Sequence, residues 1–192
     1  MSYCKIAPGH PLHGPYHERE YGFTVGDESA LFERLVLEIN QAGLSWTTIL
    51  AKRENFRAAY DNFEVDCVAN YGVRQRTRLL NDATIVRNRL KIDAAIENAR
   101  RIRELRSTQG SFAAWLAGNH PLTKPDWIKL FKKTFIFTGG EITGEFLLSI
   151  GYLPGAHEKN CPVYAKIARL KPAWMTIQHA QTSRKLRNSI AR

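Results

Sequence analysis

Two sets of residues in this chain of 192 residues have types and spacings that could do chemistry. The first is a single carboxylate. In the run LFERLVLEINQAGLSW, Leu31–Trp46, a helix turning about 100° per residue puts Leu31, Leu35, Glu38 and Ala42 on one narrow stripe. Glu38 then projects from the middle of an apolar face. A carboxylate buried there must be hydrogen-bonded, paired or protonated. Such a group suits recognition of a polar ligand in a dry pocket. The alternative is a glutamate at the edge of the stripe that reaches water or pairs with an arginine.

The second set is thiols and imidazoles. Cys4 and His17 are separated by 12 residues near the N-terminus, and His157 and Cys161 form an H-x3-C pair. Thiolate and imidazole are the usual ligands of tetrahedral zinc, and H-x3-C puts two of them on adjacent helical turns or on a tight loop. A Cys2His2 zinc site from these four would clip the N-terminal arm to the C-terminal end of the body. The other reading is two unrelated thiols among scattered imidazoles. The remaining cysteine, Cys67, reads as a small core residue. An odd, sparse cysteine count argues against a disulfide framework and for a reducing compartment.

The elements that must position these groups read as helices. Asp27 and Ser29 are candidate caps for the helix that carries Glu38, and Gly43 ends it. Ser45 caps a following helix over Thr47–Tyr60. A short helix is expected at Phe63–Tyr71; the segment Arg76–Leu80 follows, then a long run over Ile85–Leu105 with helical spacing. Ser111 caps the next, and Trp127–Thr134 and Ile142–Ile150 complete the set. Residues 1–23, rich in His and Pro, read as an ordered irregular arm. No alternating strand pattern occurs, so the expected class is all-α. The expected organisation is one domain over residues 1–161 and a basic extension over residues 162–192.

The formal net charge is +10 and the pI about 9.7, which suggests a polyanionic partner. The charge is uneven. Residues 1–161 hold 21 Lys/Arg against 18 Asp/Glu, whereas the remainder holds seven Lys/Arg (Lys166, Arg169, Lys171, Arg184, Lys185, Arg187, Arg192) and no acid. No run is apolar enough for a membrane span, and the N-terminus lacks a signal pattern. A cytoplasmic protein is expected.

Four motifs then resemble, in order, the bacterial DNA-3-methyladenine glycosylase I family. They are PLHGPYHEREYG (Pro11–Gly22), QAGLSWTTILAKRENFRAAYDNF (Gln41–Phe63) with Glu38 just before it, IVRNRLKI (Ile85–Ile92) and FIFTGGEITGEFLLSIGYL (Phe135–Leu153). The resemblance covers about residues 4–161. It implies a helix-hairpin-helix glycosylase fold and a monofunctional enzyme of DNA repair. Such an enzyme flips an alkylated base out of double-stranded DNA and hydrolyses its N-glycosidic bond, releasing 3-methyladenine. The resemblance makes Glu38 the carboxylate that bonds the flipped base, with Tyr16 and Trp46 as pocket aromatics and Tyr21 and His13 beside them. It puts Arg87, Arg89 and Lys91 at DNA phosphates. It makes Cys4, His17, His157 and Cys161 ligands of a structural zinc, and the protein a monomer. The chain departs from the family pattern at Ile6, His13 and Tyr21, where larger aromatics are usual, and at Thr84 and Leu90, which replace hairpin glycines. A catalytically weakened, zinc-containing DNA-binding module on the same scaffold is the alternative.

Overall fold

The computed structural model describes residues 2–176, so Arg184, Lys185, Arg187 and Arg192 lie outside the described residues. No strand occurs among the described residues, in agreement with an all-α class. In chain order the helices are α1 (Tyr3–Ile6), α2 (His13–Arg19), α3 (Glu28–Gln41), α4 (Trp46–Ala51), α5 (Arg53–Ala59), α6 (Val65–Ala69), α7 (Val73–Asn81), α8 (Arg89–Gln109), α9 (Phe112–Asn119), α10 (Lys124–Thr134), α11 (Gly140–Ser149) and α12 (Pro162–Arg169). They form two compact units, a central one over residues 25–146 and a terminal one from the two chain ends.

The central unit is built on α3. Asp27 caps it, with Oδ1 accepting from the Ala30 N–H at 2.8 Å, and Gly43 (φ +82°) follows its end. The sequence suggests one apolar stripe. Instead every residue from Leu31 to Asn40 is buried, because α4, α6, α8 and α9 all pack on this helix. Burying all faces means that its charges need partners. Glu33 takes two: the Nε atoms of Arg53 and Arg57 each lie 2.8 Å from its Oε1. Burial pushes the Glu33 carboxyl upward, and the two guanidiniums outweigh it, so its pKa falls below the usual value.

Two expectations for this unit need correction. The helix over Thr47–Tyr60 breaks at Lys52 into α4 and α5. Cys67 is exposed rather than in the core. The buried face of α6 is Val65, Val68 and Ala69, and Cys67 lies about 200° around the helix from Val65. Against α6 runs α8, whose buried Ala94, Ala95 and Ala99 leave room for close approach. A second cluster joins the aromatic rings of Phe112, Trp115, Trp127, Phe131, Phe135 and Phe146.

In the terminal unit the expected irregular arm is partly helical. Ser2 Oγ accepts from the Cys4 N–H to start α1. Pro15 falls in the first turn of α2, where its missing N–H sacrifices no helical hydrogen bond. Gly22 is required by geometry. Its φ is +84°, and a Cβ there would stand 2.9 Å from Ala156 Cβ. Its N–H donates to Ser149 O at 2.8 Å. The region expected as an extension starts as a packed helix: Val163 and Ile167 of α12 bury with Cys161 against Cys4, Phe23 and Tyr164. Lys166 and Arg169 stay exposed on its other side. No helix among the described residues is long and apolar enough to cross a membrane.

Candidate functional site

Glu38 is only 5% exposed. Among the described residues its carboxylate has no hydrogen bond and no ion pair. An unpaired buried carboxylate resists ionisation. Burial, then the nearby Glu145 charge, push its pKa up to about 8, against the weaker pull of Arg34. The group is therefore mostly protonated at neutral pH, and a cation placed beside it would favour the ionised form. Neither alternative open to the sequence holds: Glu38 does not reach water freely, and it makes no ion pair with an arginine. In the same unit Trp46 opens α4. Ser45 caps that helix, accepting from the Thr48 N–H at 3.1 Å, and the indole is half-buried.

Helices α7 and α8 are joined by a turn over residues 82–88. The Asp82 carboxylate accepts from the Thr84 N–H at 2.9 Å and from the Thr84 hydroxyl. Ile85 is buried beneath the turn. Asn88 caps α8, accepting from the Lys91 N–H. The main-chain N–H groups of Val86 and Arg87 find no acceptor among the described residues. The side chains of Arg87 and Arg89 are exposed, and Arg89 lies 3.8 Å from Asp93. Free N–H donors flanked by guanidiniums suit a phosphate.

Lys91 does not join them, which corrects the expectation from sequence. It is buried, and its ammonium donates to Asn40 O at 2.8 Å and Ala42 O at 2.6 Å. A cation at the C-terminus of α3 satisfies carbonyls that the helix leaves unpaired. Burial lowers its pKa. Lys91→Met is therefore expected to cost about 2–3 kcal/mol of stability, read as a lower Tm. It should leave the salt dependence of DNA binding unchanged. Arg87→Ala and Arg89→Ala should each flatten that dependence by about one phosphate contact. A flattened slope in Lys91→Met with an unchanged Tm would reverse the assignment.

In the terminal unit the four ligand-type residues converge. The donor atoms of Cys4, His17, His157 and Cys161 all lie within 4.8 Å of one another. Cys4 Sγ is 3.6 Å from His157 Nδ1. Cys161 Sγ is 3.7 Å from both His17 Nε2 and His157 Nδ1. In a zinc tetrahedron with bonds of about 2.3 Å to sulfur and 2.05 Å to nitrogen, those edges are about 3.6 Å. The outer partners also fit. His157 Nε2–H donates to Tyr21 O at 2.7 Å, which leaves Nδ1 facing the cluster. The Glu158 N–H donates to Cys4 Sγ at 3.4 Å. Burial lowers the pKa of both imidazoles, keeping them neutral as ligation requires.

Tyr16, Tyr21 and His13 also belong to this unit. Tyr16 and Tyr21 have ring centroids 5.8 Å apart, and the Tyr3 hydroxyl lies 3.1 Å from His13 Nδ1. Tyr3, at 5.3 Å from Tyr21, was not singled out by sequence reasoning, nor were Glu145 and Lys52. No spacing signal marks any of the three, since each meets its partner only through the tertiary fold.

The sequence pattern of a family described as methyladenine glycosylase matches residues 6–132. The DNA-3-methyladenine glycosylase 1 of Escherichia coli strain K12 is 40% identical over 122 residues, which are 62% of this chain and 65% of that protein. The alignment thus spans just under two thirds of that relative's length. The DNA-3-methyladenine glycosylase of Haemophilus influenzae is 31% identical over 166 residues, 77% of this chain and 89% of its own. Among solved structures, a tyrosine-to-phenylalanine variant of 3-methyladenine DNA glycosylase I in complex with 3-methyladenine superposes with a TM-score of 0.75. It is 28% identical, and the match covers 85% of this chain and 97% of that one.

Proposed function

The chain belongs to the methyladenine glycosylase family, and on that premise we propose that it excises 3-methyladenine from double-stranded DNA. The observation that carries the reading is Glu38, a buried carboxylate that no group satisfies among the described residues. A 3-methylated adenine is cationic while attached to its sugar, and its glycosidic bond lies inside the stack. The nucleotide must be extruded to be reached. The cationic base draws the proton off Glu38, and the resulting carboxylate holds it. Tyr16 and Trp46 offer aromatic faces, which attract a cation; Tyr21 and His13 are the further base-facing groups. Arg87, Arg89 and the turn N–H groups hold phosphates on the flanking strand.

The bond that breaks joins the sugar C1′ to the base. Water supplies a hydroxyl to C1′ and a proton to solvent, and the base leaves neutral. A cationic base is already a good leaving group, so selectivity rests on binding and no dedicated general base is assigned. Cys4, His17, His157 and Cys161 hold a zinc ion whose four protein ligands leave no open position, so its role is structural. The enzyme acts as a monomer in the cytoplasm.

Incubation with methylated duplex DNA and chromatography of the released bases tests the reading. Free 3-methyladenine is the expected product. DNA binding without release of any methylpurine would favour the weakened binding module instead.

A further inference from the structure

The structure assigns Lys52 as a positioning residue that sets the α7–α8 turn for phosphate binding. The assignment rests on the reading of that turn as a DNA contact. Lys52 sits at the break between α4 and α5, far in sequence from the turn. Its ammonium donates to Thr84 O at 2.8 Å and reaches Ala83 O at 3.5 Å. Asn55 Nδ2 approaches the same Thr84 oxygen at 3.5 Å. A trans peptide carries its C=O and N–H on opposite sides. Drawing the Thr84 carbonyl toward α5 therefore turns the following N–H away from it. That N–H, on Ile85, and the next two along, on Val86 and Arg87, have no acceptor among the described residues.

The charge matters as much as the geometry. Asp82 begins the turn at the end of α7 and is held ionised by the two Thr84 hydrogen bonds, with help from the Arg78 and Lys52 charges. A carboxylate there opposes an incoming phosphate. The Lys52 ammonium, on two adjacent carbonyls, supplies a compensating charge from behind the turn without standing among the phosphate-facing groups.

Two variants test this. Lys52→Met should raise KM for methylated duplex DNA about tenfold, roughly one charge-assisted hydrogen bond. It should leave kcat and the affinity for free 3-methyladenine unchanged. Amide exchange at Thr84 and Asn88, whose N–H groups bond to Asp82 and Val86 within the turn, should quicken, while exchange in α3 stays as it was. Lys52→Arg should bring KM back to within about threefold of the parent. An unchanged KM in Lys52→Met, while Arg87→Ala and Arg89→Ala raise it, overturns the assignment and leaves the turn as a DNA contact. A salt slope lowered by one with unaltered exchange makes Lys52 a direct phosphate ligand and also overturns it. No effect from any of the three substitutions sinks the turn reading itself, and the assignment with it.

Discussion

Glu38→Gln is expected to cut kcat/KM on methylated DNA by about two to three orders of magnitude, since it removes one buried charge facing a cation. The amide keeps the size of the side chain and accepts a hydrogen bond, but it cannot ionise. Binding of free 3-methyladenine should weaken as well. The pH profile provides a sharper signature. The resting carboxyl has a pKa of about 8, and the complex with a cationic base holds it ionised. Below pH 8, binding must displace a proton. The parent's kcat/KM should therefore rise about tenfold per unit from pH 6 to 8 and level off above. In Glu38→Gln that limb should be flat. The same slope in both proteins would show that Glu38 is not the titrating group.

The substitution should act on stability in the opposite sense. Between the ordinary carboxyl pKa of 4.5 and about 8, folded Glu38 holds a proton that the unfolded chain has lost. Stability then falls as pH rises through that window, by about 1.4 kcal/mol per unit, or on the order of 5 kcal/mol once pH passes 8. Gln has no such dependence. The Tm of Glu38→Gln should sit near that of the parent at pH 5 and about 10 °C or more above it at pH 8.5. A group kept unpaired for a ligand thus costs the free protein stability.

Loss of the Cys/His cluster should be the most damaging structural change. The terminal unit has short helices and a small core, and its two chain segments are brought together by Cys4, His17, His157 and Cys161. Cys161→Ala is expected to abolish zinc content, measured by atomic emission. It should lower Tm by about 10 °C or more, corresponding to several kcal/mol. Chelation of the parent should reproduce the loss, and added zinc should reverse it. Undiminished zinc in Cys161→Ala would remove the metal from the account. His157→Cys, which keeps a ligand atom but loses the Tyr21 carbonyl tie, should retain metal with lower affinity.

Much of the helical patterning and capping was local enough to read, though the break at Lys52 was not. Asp27, Ser45 and Ser111 cap where expected, and Gly43 follows the end of α3. These depend on φ/ψ preferences and hydrogen bonds between residues a few positions apart, which the order of residues specifies. The same order singled out Glu38 and the four ligand-type side chains by chemistry and spacing.

Other features are contacts between residues distant in the chain, and no local rule reaches them. Lys91 looks like a phosphate-binding cation in the run RNRLKI, but the carbonyls of Asn40 and Ala42 claim it. Cys67 looks apolar enough for a core, but a five-residue helix has one narrow buried face and the thiol is not on it. The uniform burial of α3 depends on how many neighbours surround it, not on its own period. What the chain order determined is which groups could act: a lone carboxylate in an apolar helix, two thiols and two imidazoles. The tertiary fold alone decided that, among the described residues, the carboxylate is left without a partner while Glu33, five residues earlier, is given two. Ionisation depends on the dielectric and charges around a side chain, and those come from helices far away in the sequence.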